Sequence, residues 1–184
     1  MCFSVTVSAR DLNTVSTKTP EELAEYMHPE TKHLAEDVVR ICKEQEVSAE
    51  FIVAVMRWER RPDLHNWFGW SLGDKLLRFD SDLQCLETVI PKIKKNYLTE
   101  GGLYYNGATV EGVSKYYNDT DFWRDTISAE VERMMENEMV DKQDERKDGQ
   151  RHGIPSERYY GIYPNHFACD FGRNWQIVKP FIFR

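Results

Sequence analysis

Paired cysteines, runs of basic residues and long apolar stretches are all missing from this 184-residue chain. Its four cysteines, Cys2, Cys42, Cys85 and Cys169, stand far apart, with no CxxC pair and no histidine at zinc spacing, so no metal site is expected. Cys42 and Cys85 fall on apolar helix faces and read as buried thiols, while His166 and Cys169 match no thiol-protease signature. No segment approaches the roughly 18 apolar residues of a spanning helix. The opening MCFSVTVSARDLNT has no basic start followed by an apolar run, so neither membrane insertion nor a visible export signal is expected. With a net charge of −7 and no basic stripe, nucleic acid is not an expected partner, because neutralising phosphates takes clustered Lys and Arg. No glycine-rich phosphate loop is present either, GATVEG being too short and following no strand, and no cofactor is expected. The oligomeric state is not written in the sequence.

What is present is an ordinary globular composition, 41% hydrophobic and 30% charged, in a length that suits one domain with a substantial core. Alternating apolar and small residues around Phe3 to Val7 suggest a short extended piece. Thr19-Pro20-Glu21-Glu22 is a capping box with proline at the first helical position, which predicts a helix over about Pro20 to Tyr26. A second helix is expected from near Thr31 to near Gln45, with Leu34, Ala35, Val38, Val39, Ile41 and Cys42 on its inner side. Ser48 caps a third. Ser71 to Arg78, with Gly73-Asp74, reads as a small hairpin or an irregular loop. Ser81 and Gln84 open a periodic helix that reaches about Tyr97, and Gly101-Gly102 breaks it. Thr109 caps a short helix carrying Val110, Val113, Tyr116 and Tyr117; Trp123, Ile127, Val131, Met134 and Met135 mark the last long one. From Asp141 to Gly153 the composition turns polar and reads as a solvated connection, followed by an aromatic-rich extension over 154–184 expected to pack on the domain.

The third helix carries the candidate chemistry. Phe51, Ile52, Val55 and Met56 define a buried face, and Glu59 occupies the next position on it, where a leucine would be expected. Pro62 then turns the chain out of the helix. The aromatic-rich turn that follows, Asn66-Trp67-Phe68-Gly69-Trp70, offers flat apolar faces and polar edges that suit a sugar ring, although core packing explains the same aromatics. Glycosidic bond cleavage needs an acid that protonates the leaving oxygen, and partial burial of Glu59 favours its protonated form. An ion pair with Arg57, Arg60 or Arg61 would weaken that role. The usual second carboxylate stands about 5 Å away as a nucleophile or roughly 6.5 to 9.5 Å away as a base. Asp74, Asp80, Asp82 and Glu87 are the candidates; Asp82, at a helix start, is the position expected to act, and the substrate's own acetamido group is the other route. Tyr116 and Tyr117 add a polar-tipped pair that can face the cleft or the core.

The ordered set Val47-Ser48, AVMRWE, NWFG, Phe79 with Ser81, Tyr97, GATVEGVSKYYN and Trp123 resembles the bacterial endo-β-N-acetylglucosaminidases of the lysozyme superfamily over about Leu34 to Met135. The resemblance implies a mainly α, α+β lysozyme-like domain over 1–140, with a small β or loop region after the catalytic helix. It also implies cleavage of peptidoglycan glycan strands after N-acetylglucosamine. By the same resemblance Glu59 is the general acid, Asn66, Trp67, Phe68 and Gly69 line the sugar cleft, and Tyr117 is the tyrosine near the active site. Trp70 and Tyr116 are taken with the substrate-binding group. With no export signal visible, the resemblance points to a phage lysin made in the host cytoplasm or carried in the virion and acting on the cell wall. RRPDLH departs from the family's small-residue loop after the acid, and the tail after Asp141 has no counterpart in it.

Overall fold

Most helices among the described residues begin where a side-chain oxygen meets the first free amides; α2 (Ala35–Gln45) instead continues from a 3-10 turn. In the computed structural model, which describes residues 10–144, α1 (Pro20–Tyr26) has the full reciprocal box between Thr19 and Glu22. Ser48 caps α3 (Ala49–Glu59) by accepting from the amide of Phe51, and Thr109 caps α5 (Val110–Tyr117) by accepting from that of Gly112. Each such cap stabilises its helix by about 1 kcal/mol. At α4 (Asp82–Ile93) the box is offset by one residue: Ser81 accepts from the amide of Gln84, but the Gln84 side chain returns to the amide of Asp80.

Between α1 and α3, α2 (Ala35–Gln45) starts later than its periodicity suggests, because Lys32–Leu34 is wound as a tighter 3-10 turn. It ends with Glu46 in the left-handed region, and that turn aims the chain back into α3. Beyond α4 a π-helical turn, Lys94–Leu98, carries the apolar stripe on to Tyr97 and Leu98, both buried. Ser71–Leu72 (β1) and Lys75–Leu76 (β2) form a two-stranded antiparallel hairpin around Gly73-Asp74, the one sheet among the described residues. The last helix, α6 (Asp121–Asp144), runs through the first residues of the segment expected to be a solvated connection. Lys and Gln are good helix formers, so lack of apolar residues there does not stop a helix already started. The extended piece at Phe3 to Val7 and the extension over 154–184 lie outside the described residues, as do Cys2, His166 and Cys169.

The result is mainly α with one small hairpin. Helix α3 is the central rod: Ala49, Glu50, Phe51, Ile52, Val53, Ala54, Val55 and Met56 are all at most 2% exposed, so it is buried on every side over about two turns. It packs against α6, with α2 and α1 alongside, and α2 in turn packs on α4. The segment before α1 is stitched in through Leu12, whose amide donates to Ala108 and whose carbonyl accepts from Ser48, both at 2.8 Å. Buried Glu50 accepts from the hydroxyls of Ser16 and Ser48, which satisfies a charge that would otherwise be costly there. A rod held this firmly fixes where its last residue, Glu59, stands. No helix among the described residues is long and apolar enough to cross a membrane.

Candidate active site

Glu59 ends α3 with only 7% of its surface exposed. Its Oε1 accepts a 2.8 Å hydrogen bond from the indole Nε1 of Trp123, which sits in the first turn of α6. Its Oε2 lies against Gly69: a Cβ at that position would come within 2.8 Å of Oε2 and 3.3 Å of the Glu59 carbonyl. With φ at +57°, residue 69 is glycine for two reasons, backbone handedness and the approach of this carboxyl group.

Trp123 is itself positioned. Its ring stacks on Tyr117, with centroids 5.4 Å apart and planes 27° from parallel, and the Tyr117 hydroxyl donates to the Phe68 carbonyl at 2.5 Å. Tyr117 therefore stands one layer behind the acid rather than on the cleft wall. Its phenol is held well above its ordinary pKa, first by burial and next by the negative charge of Glu59. Burial likewise raises Tyr97, which meets Tyr117 edge-on, and pushes the Cys85 thiol up to about 12, so neither ionises at neutral pH.

The turn Asn66–Gly69 forms a buried support, and its side chains do not line the cleft. The Asn66 amide nitrogen donates to the carbonyls of Trp70 and Leu77, and its oxygen accepts from the amide of Trp70, all at 2.8 Å. That side chain closes the turn and ties it to the irregular segment that follows the hairpin. Trp67 and Phe68 are 3% and 0% exposed and pack in the core, so the packing reading of these aromatics describes their surroundings. Trp70 is half-buried, with its ring near Tyr97 and Tyr117. Tyr116 is 54% exposed beside Tyr104, away from the cleft lining. Asp82 is also outside that lining: its two oxygens lie 2.6 Å from His65 Nδ1 and 3.3 Å from His33 Nε2, joining three segments of chain.

The cleft opens on the opposite side, with a volume of about 510 Å³. Glu59 and Trp123 face it, Trp58 and Phe122 border it edge to face with centroids 5.9 Å apart, and Asn118 and Thr120 add polar edges. His28, Arg57, Arg60 and Arg61 complete it. Glu59 is the one carboxylate among these lining residues. None of the three arginines forms an ion pair with it: Arg57 donates to the Tyr26 carbonyl and lies 3.8 Å from Glu130, and Arg61 donates to the Arg60 carbonyl. Beyond Phe122 a second, shallower hollow of about 450 Å³ continues along α6 past Asp125, Glu130 and Arg133. Among the described residues no group of acids, histidines and cysteines is arranged to hold a metal ion.

Trp58 and Phe122 are wall residues that periodicity does not mark. Each is adjacent in sequence to a residue that was marked, Glu59 or Trp123, and each lies off the apolar stripe. A large aromatic on the polar side of a helix, beside an acid on its buried side, was the available signal. Compared with known proteins, the chain matches no protein-family model, no curated protein and no solved structure.

Proposed function

We propose that this chain is a lysozyme-like glycoside hydrolase that cuts the β-1,4 glycan strands of bacterial peptidoglycan after N-acetylglucosamine, with Glu59 as general acid. One observation carries the reading: a single buried carboxyl group, unpaired with any arginine and held by one indole N–H, faces an open cleft bordered by exposed aromatic rings. Oε1 accepts from the Trp123 indole N–H, which leaves Oε2 to carry the proton. Aromatic faces such as Trp58 and Phe122 suit the CH surfaces of sugar rings, and Asn118 and Thr120 suit their hydroxyls. The ordered motifs around Glu59 support the substrate class.

With Asp82 engaged by two histidines outside the cleft lining, the second group belongs to the substrate. The acetamido carbonyl oxygen of N-acetylglucosamine attacks C1 as the bond to the leaving oxygen breaks, and that oxygen takes the proton from Glu59. Water then opens the cyclic intermediate, giving its proton back to Glu59, and the anomeric configuration is retained. The same one-acid cleft also favours a second reading, transglycosylation at the neighbouring muramic acid, whose own hydroxyl replaces water and leaves an anhydro end.

The test is mass spectrometry of fragments released from purified peptidoglycan by the wild type and by Glu59→Gln. Glutamine keeps the shape and an oxygen for the Trp123 indole but has no proton to give. Release is expected to fall by about 10²–10⁴-fold or more, with the denaturation midpoint nearly unchanged. Reducing N-acetylglucosamine ends establish the first reading and anhydro-muramic ends the second. Equal release by both proteins removes Glu59 as the acid, and release by neither removes the enzyme reading.

A further inference from the structure

The charge of the cleft is opposite to that of the chain. A protein of net charge −7 brings Arg57, Arg60, Arg61 and His28 to one concave wall and sets a single acid among them. Arg57 is occupied by the Tyr26 carbonyl and Glu130. Arg60 and Arg61 are different: both are half-buried, and among the described residues neither guanidinium has a carboxylate partner. Their backbone is nonetheless fixed. Arg60 is the residue at which α3 stops, and Arg61 is bridged to Asn66 in both directions, N–H to carbonyl at 2.8 and 3.1 Å, immediately before Pro62. Two cationic forks on rigid backbone, beside the acid and short of anionic partners, suit a carboxylate on the ligand. Neutral sugar faces need only the aromatic rings.

We infer that Arg60 and Arg61 form an anion-recognition edge of the cleft, so that the glycan it takes carries a carboxylate next to the sugar bound at Glu59. The inference rests on the glycan-cleaving reading of the same cleft and adds the charge of its substrate. In peptidoglycan that carboxylate has two sources, the lactyl group of muramic acid in strands stripped of peptide and the peptide stems of intact strands.

The test is titration calorimetry with Glu59→Gln protein, which binds without turning over, and three tetrasaccharides of alternating N-acetylglucosamine and muramic acid. One has free lactyl carboxylates, one has them converted to methylamides, and one carries peptide stems. The free-carboxylate or the stem-bearing strand should bind roughly 10- to 100-fold tighter than the methylamide strand. The stronger of the two identifies the source. That ratio should fall towards one when Arg60→Gln and Arg61→Gln are added, should be kept in part by Arg60→Lys and Arg61→Lys, and should shrink with added salt. Equal binding of charged and methylamide strands, a preference that survives both glutamine changes, or no binding of any strand overturns the inference. Fragment release by the wild type separates the two proposals: release without charge preference removes only the anion edge, and charge preference without release removes only the hydrolase.

Discussion

Behind and beside Glu59, Trp67, Phe68, Tyr117 and Trp123 are each at most 5% exposed, whereas at the mouth of the cleft Trp58 is 46% and Phe122 61% exposed. The rear set is wired: Trp123 donates to the carboxyl group, Tyr117 stacks on Trp123 and donates to Phe68, and Asn66 closes the turn that carries them. In the front set, Trp58 meets Phe122 edge to face. The same residue types are thus buried on one side of the acid and exposed on the other. The general acid we propose needs both, because its donor atom must be placed to within a fraction of an ångström while its partner arrives from solvent.

The sharpest way to break the comparison is Asn66→Ala. It removes three hydrogen bonds and leaves the Leu77 carbonyl and the Trp70 amide without this partner, while the Trp70 carbonyl keeps the amide of Leu77 at 2.9 Å. Stability should fall by about 2–4 kcal/mol in urea denaturation, and activity should fall with it as the Gly69 contact to Glu59 loosens. A loss below about 0.5 kcal/mol would mean that the turn does not depend on this side chain.

The front set should behave in the opposite way. Trp58→Ala or Phe122→Ala removes a half-exposed ring, so stability should move by no more than about 1 kcal/mol, while affinity for soluble glycan fragments drops roughly tenfold. Isothermal titration checks the second number and denaturation the first. Equal losses in both would place these rings with the supports rather than with the ligand.

Much of this arrangement was legible in the chain. The side-chain caps at Thr19, Ser48, Ser81 and Thr109, the buried stripe of α3, and the place of Glu59 at the end of that stripe follow from local spacing and local hydrogen bonding. The cleft walls were not legible, for a physical reason. Whether an aromatic is packed or offered depends on what lies across from it, and Trp58 meets Phe122 only because α6 returns to the end of α3 from 64 residues away in sequence, as the Glu59 to Trp123 bond records. Asn66 was equally ambiguous: an amide in a turn binds backbone or ligand with the same atoms. Asp82 reads as a helix-start acid in any context, and its two histidines come from elsewhere in the chain, His33 in the 3-10 turn before α2 and His65 after Pro62–Leu64.

The smallest expected effect lies deepest. Tyr117→Phe keeps the ring on Trp123 and removes only the hydroxyl that donates to the Phe68 carbonyl, which should cost about 1 kcal/mol at neutral pH. Alkaline pH should erase that cost. Burial and the charge of Glu59 hold the Tyr117 proton in the folded state well above the ordinary range, whereas the unfolded chain gives it up above about pH 10. Above that point the unfolded state binds fewer protons, so each such group lowers stability by about 1.4 kcal/mol per pH unit until the folded state ionises as well. Phenylalanine has no proton to lose. The wild-type and variant stability curves should therefore approach each other from about pH 10 and cross near pH 11, with Tyr97 and Cys85 contributing equally to both. Parallel curves up to pH 11.5 in urea titrations would show that the hydroxyl is not shut in behind Glu59, and that the rear wall is as open to water as the front.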